Sequence, residues 1–268
     1  MKNWRHILRI AAKVVAGCAV VAALGFVDRN GGAMPVRDIA VEMNEGNGMH
    51  FIDRDAVRQQ VVEGAGPVIG TPMGKVDETG IEQRLRAIPC IAEADVYHTM
   101  DGILHVKASQ REPIVRVVNA DGSGFYIDRD GWTMPLNANY TARVLVVTGQ
   151  LAEPFATCAP VDVANGRDSL VLSTHSRAIH AMARTLAADP LWNALFTQAV
   201  MDADGDITLI PSVGMMRVRV GDGTLLAARL EKLRSFFTEG IPQTDWRRYS
   251  AIDLRFDDQV VCTKRTTF

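Results

Sequence analysis

Residues 91–113, IAEADVYHTMDGILHVKASQREP, decide how this chain is read. Two extended runs, 91–99 and 103–108, flank Met100-Asp101-Gly102, and an Asp-Gly pair between such runs signals a tight β-hairpin. Two amphipathic helix patterns lie upstream. Asp53 stands as N-cap before Ala56, Val57, Gln60 and Val61, which recur at helical spacing until Gly64. Asp77 caps a second pattern with Ile81, Leu85 and Ile88 on one side, stopped by Pro89. The stretch 64–74 between them is a glycine- and proline-rich loop, and Val36, Ile39, Val41 and Met43 supply a strand before them. The resulting β-α-α-β-β order packs two helices on one face of a three-stranded sheet and leaves the other face wet.

Downstream of Arg111-Glu112-Pro113 the pattern changes to strands and turns. Runs at 114–118, 125–127 and 143–148, separated by turns at 121–124 and 130–131, predict a meander, and 152–168 is irregular. A helix over 176–188 carries Ile179, Met182, Ala183 and Leu186 on one side, and Pro190 opens another segment with Leu191, Leu195 and Phe196. Strands at 207–210 and 216–220 follow; in the second, Met216, Val218 and Val220 alternate with Arg217 and Arg219. Leu226, Leu230, Leu233 and Phe237 mark a helix laid on a sheet. The chain ends with a strand at 251–256, a turn at Asp257-Asp258 and a last strand at 259–263. The fold class is therefore α+β: a small β-α-α-β-β unit over 36–110, then a mixed β-sheet domain with packed helices over 111–268.

The first thirty residues set the compartment. Lys2, Arg5, His6, Arg9 and Lys13 precede or interrupt an apolar run over 14–27. A helix over 7–27 reaches the ~20 residues that a bilayer needs, provided Arg9 and Lys13 snorkel. The positive-inside rule then leaves a tail, 1–6, in the cytoplasm and sends a linker, 28–35, and everything after it outside. A cleaved leader is the second reading, with Ala23-Leu24-Gly25 as the small-residue cleavage site. A buried cytosolic helix is the third reading; the first two make the body extracytoplasmic.

Composition and motifs exclude more chemistry than they suggest. With 29 basic and 31 acidic side chains the net charge is -2, which gives no general attraction to nucleic acid. Gly74-Lys75 lacks the glycine and the Ser/Thr of a phosphate loop, having Ile69 and Val76 there. Asp202, Asp204 and Asp206 resemble the start of a calcium loop, but Val213 stands where its closing Glu would be, so a hairpin turn is expected. His175 and His180 fall on different helix faces, and Cys18, Cys90, Cys158 and Cys262 form no CxxC pair. Free thiols are expected, with Cys158 and Cys262 the pair to test. No catalytic, cofactor-binding or metal residue is assigned, and Arg58, Glu82 and Arg86 are expected on solvated helix faces.

Asp101-Gly102-Ile103-Leu104-His105-Val106 leading into Gln110-Arg111-Glu112-Pro113-Ile114-Val115-Arg116-Val117 closely resembles the FtsQ/DivIB family of bacterial cell-division proteins. Further segments follow in the family's order: Phe125-Tyr126-Ile127-Asp128 with Asp130-Gly131, Met134-Pro135, Tyr140 to Val144, and Ile207 to Pro211. The helix at 230–237 and the run from Tyr249 through Ile252-Asp253-Leu254-Arg255-Phe256 to Cys262 continue the likeness. The segment 152–168 has no counterpart in it. The resemblance implies a POTRA domain, a β domain, one transmembrane helix in the bacterial inner membrane with the bulk periplasmic, and residence at the division septum. It implies no enzyme activity and no cofactor. It also implies a scaffold that binds FtsB-like and FtsL-like partners, with other division proteins recruited through the POTRA unit. A second function class that uses POTRA units is an envelope assembly or secretion module, which would carry a barrel or several repeats; neither pattern occurs in this sequence.

The last strand is the candidate site. No proline interrupts 251–263 and Val260-Val261-Cys262 is apolar, so an open edge there would offer unpaired backbone groups to a guest strand. The candidate partner-binding residues are Arg255, Phe256, Gln259, Val260, Val261 and Cys262. Ile252 and Leu254 are expected in the core. Phe256 shares their row and becomes an exposed anchor only if the strand ends near Asp257.

Overall fold

The computed structural model describes residues 33–44, 48, 50–64, 66–138, 140–157, 159–240 and 246–265, together with 13, 15, 17 and 19. The expected anchor at 7–27 lies outside the described residues except at those last four positions, and Cys18 and Cys158 lie outside them too. Among the described residues no helix is long and apolar enough to cross a membrane. Cys262 is a free thiol. The chain divides into two compact units, Met1–Glu45 with Ile52–Gln110, and Gly46–Phe51 with Arg111–Phe268.

The first unit runs β1 (Asp38–Asn44), α1 (Arg54–Gly64), α2 (Glu78–Arg86), β2 (Ile91–His98) and β3 (Ile103–Gln110). Each cap read in the sequence is made. Asp53 accepts the Ala56 N–H at 2.7 Å, and Asp77 accepts that of Gly80 at 2.9 Å. Glycine at 80 leaves this cap its room, since a Cβ there would stand 2.0 Å from the Asp77 carboxylate and make it turn aside. The sheet order is β1-β3-β2, with β1 parallel to β3 and the β2-β3 hairpin antiparallel. Val57, Val61, Ile81 and Leu85 meet Ile39, Leu104 and Val106 in one core, every one of them at most 1 % exposed. Burying such side chains contributes about 1.5–3 kcal/mol apiece.

Arg58, Glu82 and Arg86 depart from the expectation of bare solvated faces. Glu82 accepts the Val96 N–H at 3.0 Å and Arg86 donates to the Ala94 carbonyl at 2.6 Å, so α2 side chains satisfy the outer edge of β2. On β1, Asp38 takes its neighbour's Ile39 N–H at 2.8 Å, and Arg58 holds the same carboxylate oxygen at 2.7 Å. These contacts plug backbone groups that would otherwise invite another strand.

The second unit begins with β4 (Pro113–Val118), β5 (Gly124–Asp128), β6 (Thr133–Pro135) and β7 (Leu145–Gly149). Helices α3 (Ser169–Leu172), α4 (Ser176–Ala187) and α5 (Pro190–Leu195) follow, then β8 (Phe196–Met201), β9 (Ile207–Pro211), β10 (Arg217–Gly221), α6 (Leu226–Ser235), β11 (Tyr249–Asp253) and β12 (Val261–Lys264). Among the described residues these nine strands form one sheet, β12-β11-β10-β9-β8-β7-β4-β5-β6. The meander expectation is corrected: β4, β5 and β6 do pair antiparallel, but β7 returns parallel on the other side of β4, with Val115 opposite Leu145. The segment from Pro135 to Leu145 is long enough to carry the chain back, and Ala142 on the way donates its N–H to the Tyr126 hydroxyl at 3.3 Å.

One face of this sheet carries the core. Val115, Val117, Phe125, Ile127, Val147, Ala199, Leu209, Val218, Val220 and Ile252 point at α4 and α6, against Ile179, Met182, Leu186, Leu230 and Leu233. Helix α4 has no side-chain cap of its own from His175. Instead the buried Glu153 carboxylate accepts the N–H groups of His175 at 2.9 Å and Ser176 at 3.1 Å, an anion at the positive end of a helix. Glu153 is itself fixed by Asn119, which bonds both its N–H (2.9 Å) and its carbonyl (2.8 Å).

Candidate partner-docking edge

Strand β12 is the rim of the large sheet. It pairs antiparallel with β11, Asp253 opposite Val261, Ile252 opposite Cys262, and Ala251 opposite Thr263. Among the described residues it has no strand on its other side. The Arg265 N–H donates to the Arg248 carbonyl at 2.7 Å, toward β11. Backbone direction alternates along an extended strand, so the N–H and C=O groups of Thr263 and Val261 share that inward side. Those of Cys262 and Lys264 point out of the sheet plane's edge, available to a guest.

The expected boundaries shift. The strand is 261–264 rather than 259–263, and its partner ends at Asp253 rather than 256. Gln259 and Val260 therefore lie in the connection, Gln259 exposed and Val260 half-buried against the core. The physical cause is Lys232 on α6. Its ammonium donates to the carbonyls of Leu254 (3.0 Å), Phe256 and Asp257 (3.4 Å), which draws the chain off the ladder into a turn. Ile252 and Leu254 are fully buried, whereas Phe256, beyond the strand end, is 46 % exposed. Val261 sits on the outer face and is exposed; Cys262 faces the core and is half-buried, and burial pushes its thiol up from the ordinary value.

Arg255 is more occupied than its sequence position suggests. Its guanidinium pairs with Asp253 at 2.8 Å and with Asp206 at 2.9 Å. The three aspartates of 202–206 do make a hairpin turn: Asp202 accepts the N–H groups of Asp204 at 3.0 Å and Asp206 at 2.9 Å, and Asp206 is left to hold Arg255. The hydrogen bonds from Arg255 in turn hold the Asp253 carboxyl below its ordinary value. A depressed carboxyl stabilises the fold fully above 3.8, and that contribution drains as pH falls through the lower folded-state value. The expected result is that the gap in melting temperature between the parent and Asp253→Asn is full at neutral pH and narrows below pH 3.8. A gap that stayed constant from neutral pH into that range would show that the Arg255 pair carries none of it.

Charge is uneven along the edge. Asp257 and Asp258 mark the start of β12, while exposed Arg248, Lys264 and Arg265 gather at its end. On the neighbouring outer face Arg217 and Arg219 project from β10, both exposed. The sheet's opposite edge differs. There the N–H of Thr133 on β6 donates to the Val161 carbonyl at 2.9 Å, so a loop already lies against it. Elsewhere two open clefts of about 540 Å³ and 590 Å³ are lined by charges such as Glu42, Arg86 and Lys107 in one and Glu112, Arg129 and Arg143 in the other. Among the described residues no group of three His, Cys, Asp or Glu side chains is arranged to hold a metal ion.

The fold and its rim define a class: a two-unit α+β protein whose distinctive surface is an open sheet edge. Residues 36–109 match the model of the POTRA-like domain, and residues 112–263 match that of the FtsQ/DivIB C-terminal related family. The second match alone spans more than half of the chain, and the chain belongs to the FtsQ/DivIB family. It is similar to the cell division protein FtsQ of Salinibacter ruber, 28 % identical over 97 % of this chain and 95 % of that one. It is also similar to the FtsQ proteins of Rhodothermus marinus, 27 % identical over 72 % of this chain and 67 % of that one, and of Geotalea daltonii, 24 % identical over 98 % and 90 %.

Proposed function

We propose that this chain is a non-enzymatic scaffold of the bacterial division machinery. Residues 7–27 hold it in the inner membrane with 1–6 cytoplasmic, and the linker 28–35 leads to a POTRA domain, 36–110, and a β domain, 111–268, on the periplasmic side. An FtsB-like partner adds a strand to β12, with an FtsL-like protein in the same assembly and other division proteins reached through the POTRA domain. Phe256 packs on the guest, and Val261 and the outward backbone groups of Cys262 and Lys264 receive it. Gln259 and Val260 border that contact, and Arg255 joins it only by exchanging Asp206 for an acid of the guest.

One observation carries this reading: among the described residues β12 is paired on one side only, while the β2 and β6 edges are tied down by the chain itself. Main-chain hydrogen bonding supplies affinity at such an edge, and the cations at Arg248, Lys264 and Arg265 favour an acidic guest. A photo-reactive residue at Lys264 should trap the partner in living cells, and one at Leu136, beyond β6, should not. A fluorescent fusion of the full chain should ring mid-cell during constriction. Uniform envelope signal, or equal trapping at both positions, would sink the reading.

A further inference from the structure

The large sheet has two rims, and they are treated differently. At the start of β6 the chain folds residues 159–166 back along 131–133. Thr133 donates its N–H to the Val161 carbonyl at 2.9 Å, Val161 returns its N–H to the Thr133 hydroxyl at 2.9 Å, and Val163 donates to the Gly131 carbonyl at 2.8 Å. Trp132 and Asp162 form an antiparallel bridge within this pairing. The approach is close: Gly131 has φ of +93°, and a Cβ there would stand 2.4 Å from that of Ala164. Val163 is fully buried, and Arg177 on α4 clamps the strap by donating to the carbonyls of Val163 at 3.2 Å and of Gly166. The strap's own free side is blunted. Pro160 has no N–H, and Asp162 spends its carboxylate on the N–H and side-chain amide of Asn165, at 2.9 Å and 3.2 Å.

A sheet open at both rims is a unit of polymer. Its two edges are different surfaces, so β6 of one copy on β12 of the next is a heterologous contact that repeats without closing. We propose that residues 159–166 are an edge guard, which closes β6 so that copies of this chain cannot add to one another through β12 and the open rim is kept for a different guest. The inference rests on the reading of β12 as an accepting edge. Its occupant at an unguarded β6 is a second copy, because β12 is the accepting strand this chain itself carries.

The test uses the full chain in mild detergent. Thr133→Val with Arg177→Ala removes the hydroxyl and guanidinium bonds that hold the strap while leaving the core side chains in place. A second variant replaces 160–165 with Gly and Ser, which keeps the main-chain donors but removes the buried Val163 anchor and the Asp162 turn, and so frees the strap. Both should show a scattering mass that rises with concentration to about twice the parental value or beyond, and adding Cys262→Pro should return it to one copy. Strapless protein that stays at the mass of one copy would overturn the proposal, as would association that Cys262→Pro leaves untouched. Partner capture, measured on the same preparations, separates this failure from failure of the docking reading. If Cys262→Pro still captures the partner, β12 docking is wrong. If it loses the partner while strapless protein stays single, the guard alone is wrong.

Discussion

A Cys262→Pro protein is expected to keep its fold and to capture the proposed guest strand about tenfold or more weakly, the equivalent of losing one to two backbone hydrogen bonds. The direction of the strand makes this a selective change. Because Arg265 bonds inward to Arg248, the N–H of Cys262 points away from β11, and proline there removes a donor that the protein itself does not use. Its ring also projects into the path of a guest strand. Lys264→Pro has the same parity and should behave alike. Val261→Pro and Thr263→Pro have the opposite parity; they break the β11 ladder and should lower the melting temperature as well as binding. Cys262→Ser controls for the half-buried thiol. The measurement is a titration of the full chain with the partner's extracytoplasmic segment, beside a thermal melt. Parental affinity in folded Cys262→Pro and Lys264→Pro proteins would end the strand-addition account.

The same parity marks where the sequence runs out. The stretch 251–263 is visibly apolar and free of proline, so an edge of some kind can be read from it. Which backbone groups face outward depends on the bond from Arg265 and on the turn that Lys232 imposes, and neither has a local signature. Phe256 is a case in point: alternation alone puts it in the core row, and only a lysine on another element ends the strand before it. The first unit was legible almost throughout because its boundaries are chemical: Asp53 and Asp77 cap, Gly102 turns, Pro89 stops. Strand β8 was not. Pro190–Leu195 runs straight into Phe196 without a turn residue, so the helical pattern carries on into the strand. Glu82 and Arg86 resemble any surface ion pair in sequence, since their targets are the main chain at Val96 and Ala94. The irregular 152–168 segment has no periodicity because it works through isolated carbonyls and a clamp, not through a repeating face.

The largest stability loss is expected at the far end of the sheet. Asp128→Ala should destabilise the second unit by about 3–5 kcal/mol, a drop of roughly 10 °C in melting temperature. One oxygen of Asp128 accepts the N–H groups of Asp130 at 3.0 Å and Trp132 at 2.7 Å, and the other accepts the Arg111 guanidinium at 3.0 Å. Only 2 % of the Asp128 side chain and 9 % of that of Arg111 are exposed, and Arg111 lies over the Trp132 ring at 5.0 Å. Burial pushes the Asp128 carboxyl up, while the Trp132 N–H and Arg111 pull it back. The opposing effects mean the pair's presence adds modestly to stability, yet deleting one partner leaves buried charge and two turn donors without their acceptor. Asp128→Asn keeps an oxygen for the turn and should fall between parent and Asp128→Ala. That ordering distinguishes turn closure from ion pairing: equal losses in both variants would assign the whole effect to the charge. Because β5 and β12 lie seven strands apart in the sheet order, Asp128→Asn should still capture the guest strand at temperatures where it is folded. Loss of capture by folded Asp128→Asn would mean that the sheet transmits changes at β5 across to its open rim.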